Sequence, residues 1–423
     1  MGRSIASRLN KRNDGDLVPP TTIGSPPKIT NSMTSSVPPV PPVLTIPPVP
    51  VSTKEEKPCW IYDVQRSWSD NREHGPWNME NIKTPEPVVT PPYLQWIPLF
   101  GYRVISPIGI PAGPLLDSRW ISFASKLGYN VLTYKTIRSS PHPGYPVPNV
   151  VRVSSSSTVG PETTWIRNVE TELQPMTITN SFGMPSMDGD FLLRDISKAR
   201  NCLTRGQLLI VSVVGESSKR NASDPRWLWR ECVDDFALTS NIARYGGAHV
   251  IEANLSCPNI ATGGMDEVYL NADSVFTVCE NIKAQIGTIP LVVKVGEFPD
   301  EDTMLRVFRA AERGGAEGIC GINGVRGKVV PPLDNTRVSS GICGHGIREN
   351  AIHFLRMAKK VLSGYSSNLV VMGCGGITQV EDFDAFLDTG CRIAMTATGF
   401  MFNPLLAMQW SNIHNGKKNP QKE

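Results

Sequence analysis

The chain of 423 residues contains no apolar run approaching the roughly 20 residues that cross a bilayer, so no membrane span is expected. It has no CxxC pair. Its nine cysteines are scattered and odd in number, which argues against a zinc site or a disulfide framework and for a reducing compartment. No GxGxxG follows a strand with an acid downstream, which removes a Rossmann dinucleotide site. No histidine, cysteine or carboxylate cluster has metal spacing, and no metal is expected. An excess of one charge is missing as well. Lys and Arg number 42 against 39 Asp and Glu, and the net +3 is accounted for by residues 1–57, with seven basic and four acidic side chains. The balanced remainder predicts no nucleic-acid surface. The N-terminus has no apolar stretch of the secretory type. Arg3, Arg8, Lys11 and Arg12, all ahead of Asp14, leave an organellar-targeting reading open beside the expected cytoplasmic one.

Proline is what the start of the chain has in abundance. Eleven prolines lie between Pro19 and Pro50 among Ser, Thr and Val, so residues 1–57 are expected to be a disordered tail. Pro38-Pro39-Val40-Pro41-Pro42 suits a polyproline II helix, as either a partner-docking segment or a passive one. Residues 58–98, with Trp60, Trp68, Trp77 and Trp96, read as an irregular aromatic arm packed on the domain after it. Residues 99–412 alternate between strands and helices, and 413–423 read as a flexible tail. Strands are expected at Pro107–Pro111, Val131–Thr133, Leu208–Val214, Ala248–Ala253, Pro290–Val295, Gly318–Ile322, Leu369–Met372 and Arg392–Thr396. Helices are expected at Ser118–Leu127, Trp227–Tyr245, Ala272–Ile286, Glu301–Gly314, Arg348–Leu362 and Val380–Leu387. Nearly continuous apolar strands imply a sheet covered on both faces, and eight of them alternating with helices imply an α/β fold, a (β/α)8 TIM barrel.

On such a barrel the chemistry sits where strands end. The first strand ends in Pro111-Ala112-Gly113-Pro114, small residues that admit a planar ligand. The second ends in Tyr134-Lys135-Thr136, and Asn180-Ser181-Phe182-Gly183-Met184-Pro185 lies beyond it. Ser212 belongs to the third strand. The fourth delivers Asn254-Leu255-Ser256-Cys257-Pro258-Asn259, the fifth Lys294 and the sixth Asn323-Gly324. A cysteine between two asparagines suits a thiolate base beside carboxamides that read a flat, amide-rich substrate; a buried structural cysteine is the plainer alternative. Lys135 and Lys294 are costly to bury without an anion, though either could be a structural ion-pair lysine. Three glycine-rich turns come next, at Gly341–Gly344, Gly373–Ile377 and Ala397-Thr398-Gly399. Two of them occupy the usual phosphate position of a barrel. Together with two lysines, they point to flavin mononucleotide (FMN). His249 and His345 are isolated and read as non-catalytic.

The motifs Asn254–Asn259 and Asn180–Pro185, Lys135, Lys294 and the Gly375-Gly376 turn resemble the dihydroorotate dehydrogenases, most nearly the soluble class 1 enzymes with a cysteine base. The resemblance covers residues 99–412. It implies oxidation of dihydroorotate to orotate in pyrimidine biosynthesis, with Cys257 taking a proton from C5 while hydride passes from C6 to flavin N5. It implies that Lys135, Asn180, Gly183, Met184, Asn254, Asn259 and Asn323 hold the dihydropyrimidine carboxylate. It also implies that Ala112, Gly113, Lys135, Thr136, Ser212, Asn254, Lys294, Gly344, Gly375, Gly376, Ala397 and Thr398 line FMN. A second electron acceptor must reoxidise the flavin, and a homodimer is expected, with or without an electron-transfer subunit.

The chain departs from the family pattern at Gly324, where a substrate-touching serine is usual, at Pro111–Pro114, and in the lengthened span Val153–Thr179. These departures keep open another dihydropyrimidine, dihydrouracil-like, or tRNA dihydrouridine as substrate. Dihydrouridine synthases carry a further RNA-binding domain, and dihydropyrimidine dehydrogenases are longer and rich in iron–sulfur cysteines. A catalytically dead barrel whose tail recruits partners is the non-enzymatic alternative.

Overall fold

All eight expected strands form and close on one another. The computed structural model describes residues 60–82, 90–155, 163–167, 176–217, 225–256 and 268–416. The expected proline-rich tail therefore lies outside the described residues, as do Cys257, Asn259 and residues 417–423.

After helix α1 (Trp68–His74) a short antiparallel hairpin, β1 (Ile97–Leu99) and β2 (Tyr102–Val104), leads into the barrel. Next come β3 (Ile108–Ile110), α2 (Ser118–Lys126), β4 (Val131–Ile137), β5 (Val150–Ser154), β6 (Thr164–Arg167) and β7 (Thr177–Asn180). Then come α3 (Gly189–Asn201), β8 (Leu208–Val213), α4 (Pro225–Gly246), β9 (Val250–Asn254), α5 (Ala272–Ile286), β10 (Leu291–Lys294) and α6 (Glu301–Arg313). The remainder is β11 (Gly318–Gly321), β12 (Val325–Val330), β13 (Ser339–Gly344), α7 (Arg348–Ser363), β14 (Val370–Cys374), α8 (Val380–Leu387), β15 (Ile393–Met395), α9 (Thr398–Phe402) and α10 (Leu406–Gly416). The last helix thus runs past the barrel end expected at residue 412. No helix among the described residues is long and apolar enough to cross a membrane.

The barrel order is β3-β4-β8-β9-β10-β11-β14-β15, closing on β3, with every pairing parallel. The period of two sorts its side chains. Val131, Leu208, Ile210, Val250, Val292, Cys320, Met372 and Met395 fill the interior, and Leu99 and Val104 of the hairpin join them as a plug. Leu132, Leu209, Ile251, Val293 and Ile319 face the helices. Burying each such side chain contributes about 1.5–3 kcal/mol. The helices present matching stripes. In α6, Met304, Val307, Phe308 and Ala311 are buried at helical spacing, and Asp300 caps the helix by accepting from Thr303 N at 2.6 Å.

A second closed sheet, β12-β13-β7-β5-β6, stands on the loops after β4 and β11. It was not expected, and it corrects one reading. Gly341–Gly344 is not a turn but the second half of β13, where Ile342 is fully buried and pairs with Thr179. Part of the lengthened span Val153–Thr179 also builds this sheet, with Trp165 of β6 buried in it.

Candidate active site

At the C-terminal ends of the barrel strands lies an open cavity. Ala112, Gly113, Lys135, Thr136, Asn180, Gly183, Met184, Asn254, Lys294, Asn323, Gly344, Gly375, Gly376, Ala397 and Thr398 all line it. Ser212 sits behind this lining, with its hydroxyl 3.0 Å from that of Thr136. Cys257 and Asn259 lie outside the described residues, three and five positions beyond Asn254.

Lys135 and Thr136 are consecutive, yet both reach the cavity. The cause is a bulge: β4 spends three steps from Tyr134 to Ile137 where β8 spends two, from Val211 to Val213. The extra residue re-aims the strand end. Tyr134, just before it, turns outward and donates to Asp195 of α3 at 2.6 Å. Thr136 Oγ1 also accepts from Asn254 Nδ2 at 3.3 Å. Asn254 Oδ1 accepts from Asn323 Nδ2 at 3.4 Å, and Asn323 Nδ2 reaches Ser256 O at 3.3 Å. The two carboxamides are thereby fixed in orientation before any ligand arrives.

Lys294 ends β10 in register with Asn254 and is almost wholly buried. Burial alone would push its ammonium pKa down. The Cys320 and Cys374 thiols and the Glu252 carboxylate outweigh that, so the pKa lies above the ordinary lysine value. Glu252, one layer down on β9, has both oxygens buried without a hydrogen-bond partner among the described residues. A buried carboxylate of this kind needs the nearby positive charge. A hydrogen bond from Cys320, and then Lys294, bring the Cys374 thiol down to about 7 despite burial.

Opposite, Gly375 and Gly376 leave β14 with φ of +102° and +108°. A Cβ on Gly376 would stand 2.3 Å from Arg348 Cα, so only glycine lets the turn close this tightly. Arg348 beside it is already engaged by Asp382 at 2.6 Å and by Glu349. Thr396 Oγ1 donates to Ile377 O at 2.7 Å and ties this turn to the one after β15.

The third wall is the loop from Asn180 to Met184. Its carbonyls are all engaged on the side away from the cavity. Ser181 O accepts from Arg337 and Asn149 at 3.2 Å each, Phe182 O from Tyr145 N at 2.9 Å, Gly183 O from Arg138 at 2.9 Å and Met184 O from Arg138 at 2.7 Å. A planar trans peptide sets N–H opposite C=O, so the amides of Phe182, Gly183 and Met184 face inward. Asn180 Nδ2 donates to Cys343 Sγ at 3.1 Å. A Cβ on Gly324 would meet the same sulfur at 3.0 Å.

Sequence reasoning missed the contribution of the arm. Ile61 N donates to Met401 O at 3.0 Å, and Asn71 accepts from Asp63 N and Trp77 Nε1. These bonds hold Tyr62 and Trp68 against the cavity as part of its wall. The density of tryptophan signalled packing on the domain that follows, but not a share in the cavity wall. Among the described residues no three metal-ligating side chains cluster. His249 lies below the barrel against Tyr102, far along the strands from this cavity.

Comparison with known proteins agrees with this geometry. Residues 97–413 match the family model described as dihydroorotate dehydrogenase. The dihydroorotate dehydrogenase of Dictyostelium discoideum is 39% identical over 375 residues, 85% of this chain and 98% of that one. Dihydroorotate dehydrogenase A (fumarate) of Limosilactobacillus reuteri is 31% identical over 178 residues, 40% of this chain and 53% of its own. The NAD-dependent dihydropyrimidine dehydrogenase subunit PreA of Escherichia coli is 28% identical over 205 residues, 46% of this chain and 45% of its own. With the barrel matched from first strand to last, and one relative covered over nearly its whole length, the chain belongs to the dihydroorotate dehydrogenase family of flavin-dependent oxidoreductases.

Proposed function

We propose that this protein oxidises dihydroorotate to orotate with FMN as its resident cofactor and Cys257 as the base. The observation that carries the reading is the meeting of Lys135, Lys294 and the three asparagines Asn180, Asn254 and Asn323 with the Gly183-Met184 loop in one cavity. The residues fit the cofactor. Gly375-Gly376 forms a cradle that a side chain would fill, and Lys294 holds positive charge against the cavity floor. Gly344, Gly375, Gly376, Ala397 and Thr398 would hold its phosphate end, and Ala112, Gly113, Thr136 and Lys294 its ring, with Ser212 supporting Thr136. When bound, FMN supplies the two-electron acceptor.

The chain's own groups do the rest. Cys257 removes the C5 proton. Asn180, Asn254, Asn259 and Asn323 bind the ring's carbonyl and N–H edges, as a carboxamide's paired donor and acceptor allow. Lys135 and the amides of Gly183 and Met184 take the carboxylate, and the arm's Tyr62 and Trp68 narrow the route for water. A second acceptor then regenerates the enzyme. Cytoplasmic placement and a homodimer, with or without an electron-transfer subunit, complete the proposal. The crowding that a side chain at position 324 would meet from Cys343 Sγ favours one second reading, a different dihydropyrimidine in the same site.

Anaerobic mixing of the purified protein with L-dihydroorotate tests both. Rapid bleaching of the flavin band is expected in the wild type and its loss in Cys257→Ala, with flavin content unchanged. Undiminished bleaching in the variant would remove Cys257 as the base. A wild-type flavin bleached by dihydrouracil but not by dihydroorotate would select the second reading.

A further inference from the structure

We propose that Arg138, which no sequence motif singles out, is a positioning residue. It sets the Gly183–Met184 peptide, and with it the Met184 N–H, for the substrate's carboxylate, and Glu216 holds it in place. The inference rests on the dihydroorotate reading above. Arg138 follows β4 directly and is buried. Its Nε donates to Met184 O at 2.7 Å and a terminal nitrogen donates to Gly183 O at 2.9 Å. The other terminal nitrogen pairs with the Glu216 carboxylate. Glu216 N in turn donates to Asp235 Oδ2 of α4 at 2.8 Å. One planar guanidinium thus joins the bulged strand, the substrate loop and a helix.

What it joins is under strain. Met184 has φ of +49°, a left-handed conformation costly to an ordinary side chain, and Gly183 beside it has φ of +72°, which glycine adopts freely. The Met184 conformation persists only when neighbours hold it. Two bonds from one rigid, charged fork, each to a backbone carbonyl, are the means. Because each peptide is planar, drawing the Gly183 carbonyl onto Arg138 turns the Met184 N–H toward the cavity. The Met184 carbonyl fixes the far side of the same residue. Without Arg138, the Gly183–Met184 peptide can rotate, and rotation replaces the Met184 amide donor with a carbonyl oxygen facing an anion.

The role is distinguishable from a general packing role by choice of ligand. Orotate carries a carboxylate and uracil does not. In flavin-monitored titrations of the intact holoprotein, Arg138→Met should weaken orotate by about tenfold or more, and change uracil by no more than about twofold. Its KM for dihydroorotate should rise while the rate at saturation holds, the mark of lost ground-state binding. Arg138→Lys should recover part of the loss, since an ammonium reaches one carbonyl but cannot span both. Glu216→Gln, which keeps the guanidinium and removes its charge partner, should move orotate in the same direction by less. Equal weakening of orotate and uracil, or orotate affinity unchanged in both Arg138 variants, would overturn the proposal. A wild-type flavin that responds to uracil but not to orotate would sink the substrate reading first, and this assignment with it.

Discussion

Replacing His249 with glutamine should flatten the acid side of the stability profile. His249 is buried just ahead of β9, where its Nδ1 accepts a hydrogen bond from Leu209 N at 2.9 Å. That bond requires an unprotonated Nδ1. Burial, and secondarily the charge of Arg200, push its pKa from 6.5 down to about 4. The folded value lies below the unfolded one, so between them the unfolded chain binds more protons. Stability from this group is complete above about pH 6.5 and is lost as pH falls towards 4. Some 2.5 pH units at about 1.4 kcal/mol each set a ceiling of about 3.5 kcal/mol. Asp117 and Asp235, whose carboxyl pKa values burial raises, tilt the profile the other way, so the informative quantity is the difference between wild type and variant. Urea midpoints at pH 4.5, 5.5, 6.5 and 7.5 supply it. His249→Gln keeps an acceptor for Leu209 N and removes the titration, so its curve should converge on the wild type at low pH. Parallel curves across the whole range would refute the argument.

Two further substitutions bear on the cavity. Gly376→Ala places a methyl 2.3 Å from Arg348 Cα at a φ of +108°, and neither backbone can yield cheaply. The purified variant should lose flavin on dilution at least about tenfold more readily than wild type, as fluorescence of the filtrate will show. Gly324→Ser brings a Cβ to 3.0 Å from Cys343 Sγ. Its KM for dihydroorotate should rise several-fold, about 1 kcal/mol, and adding Cys343→Ala should relieve it. Equal values for the single and double variants would show that the two positions do not compete for space.

The barrel was legible because each of its strands is a short apolar run buried on both faces, and that pattern survives without knowledge of partners. Helices α5 and α8 match their expected bounds for a related reason: Asn271 caps the first, and a capping box opens the second. The five-stranded sheet was not legible. Its strands pair across as many as 167 positions, as Thr177 and Gly344 show, and glycines interrupt the alternation that would mark β13. The bulge beneath Lys135 and Thr136 is invisible for a similar reason, since it is a mismatch in count between two strands and belongs to neither alone. Lys294 was legible as a costly burial, whereas the Glu252 layer beneath it emerged only with the register of β9 and β10. Arg138 carried no signal, because its role lies wholly in bonds to backbone atoms of another segment.

The bond from Ile61 N to Met401 O, and the edge-on contact of Trp60 with Phe402, join the beginning of the described chain to its end. Synthesis runs from one to the other, so the arm leaves the ribosome ahead of the barrel and waits for its last tie until α9 appears. Tyr62 finds Trp120 and Phe182 early, but every strand of the barrel must be made before Trp60 and Ile61 meet their partners on α9. The nascent chain therefore cannot present a finished pocket early, and the arm acts as a clasp that shuts when the work of the barrel is done.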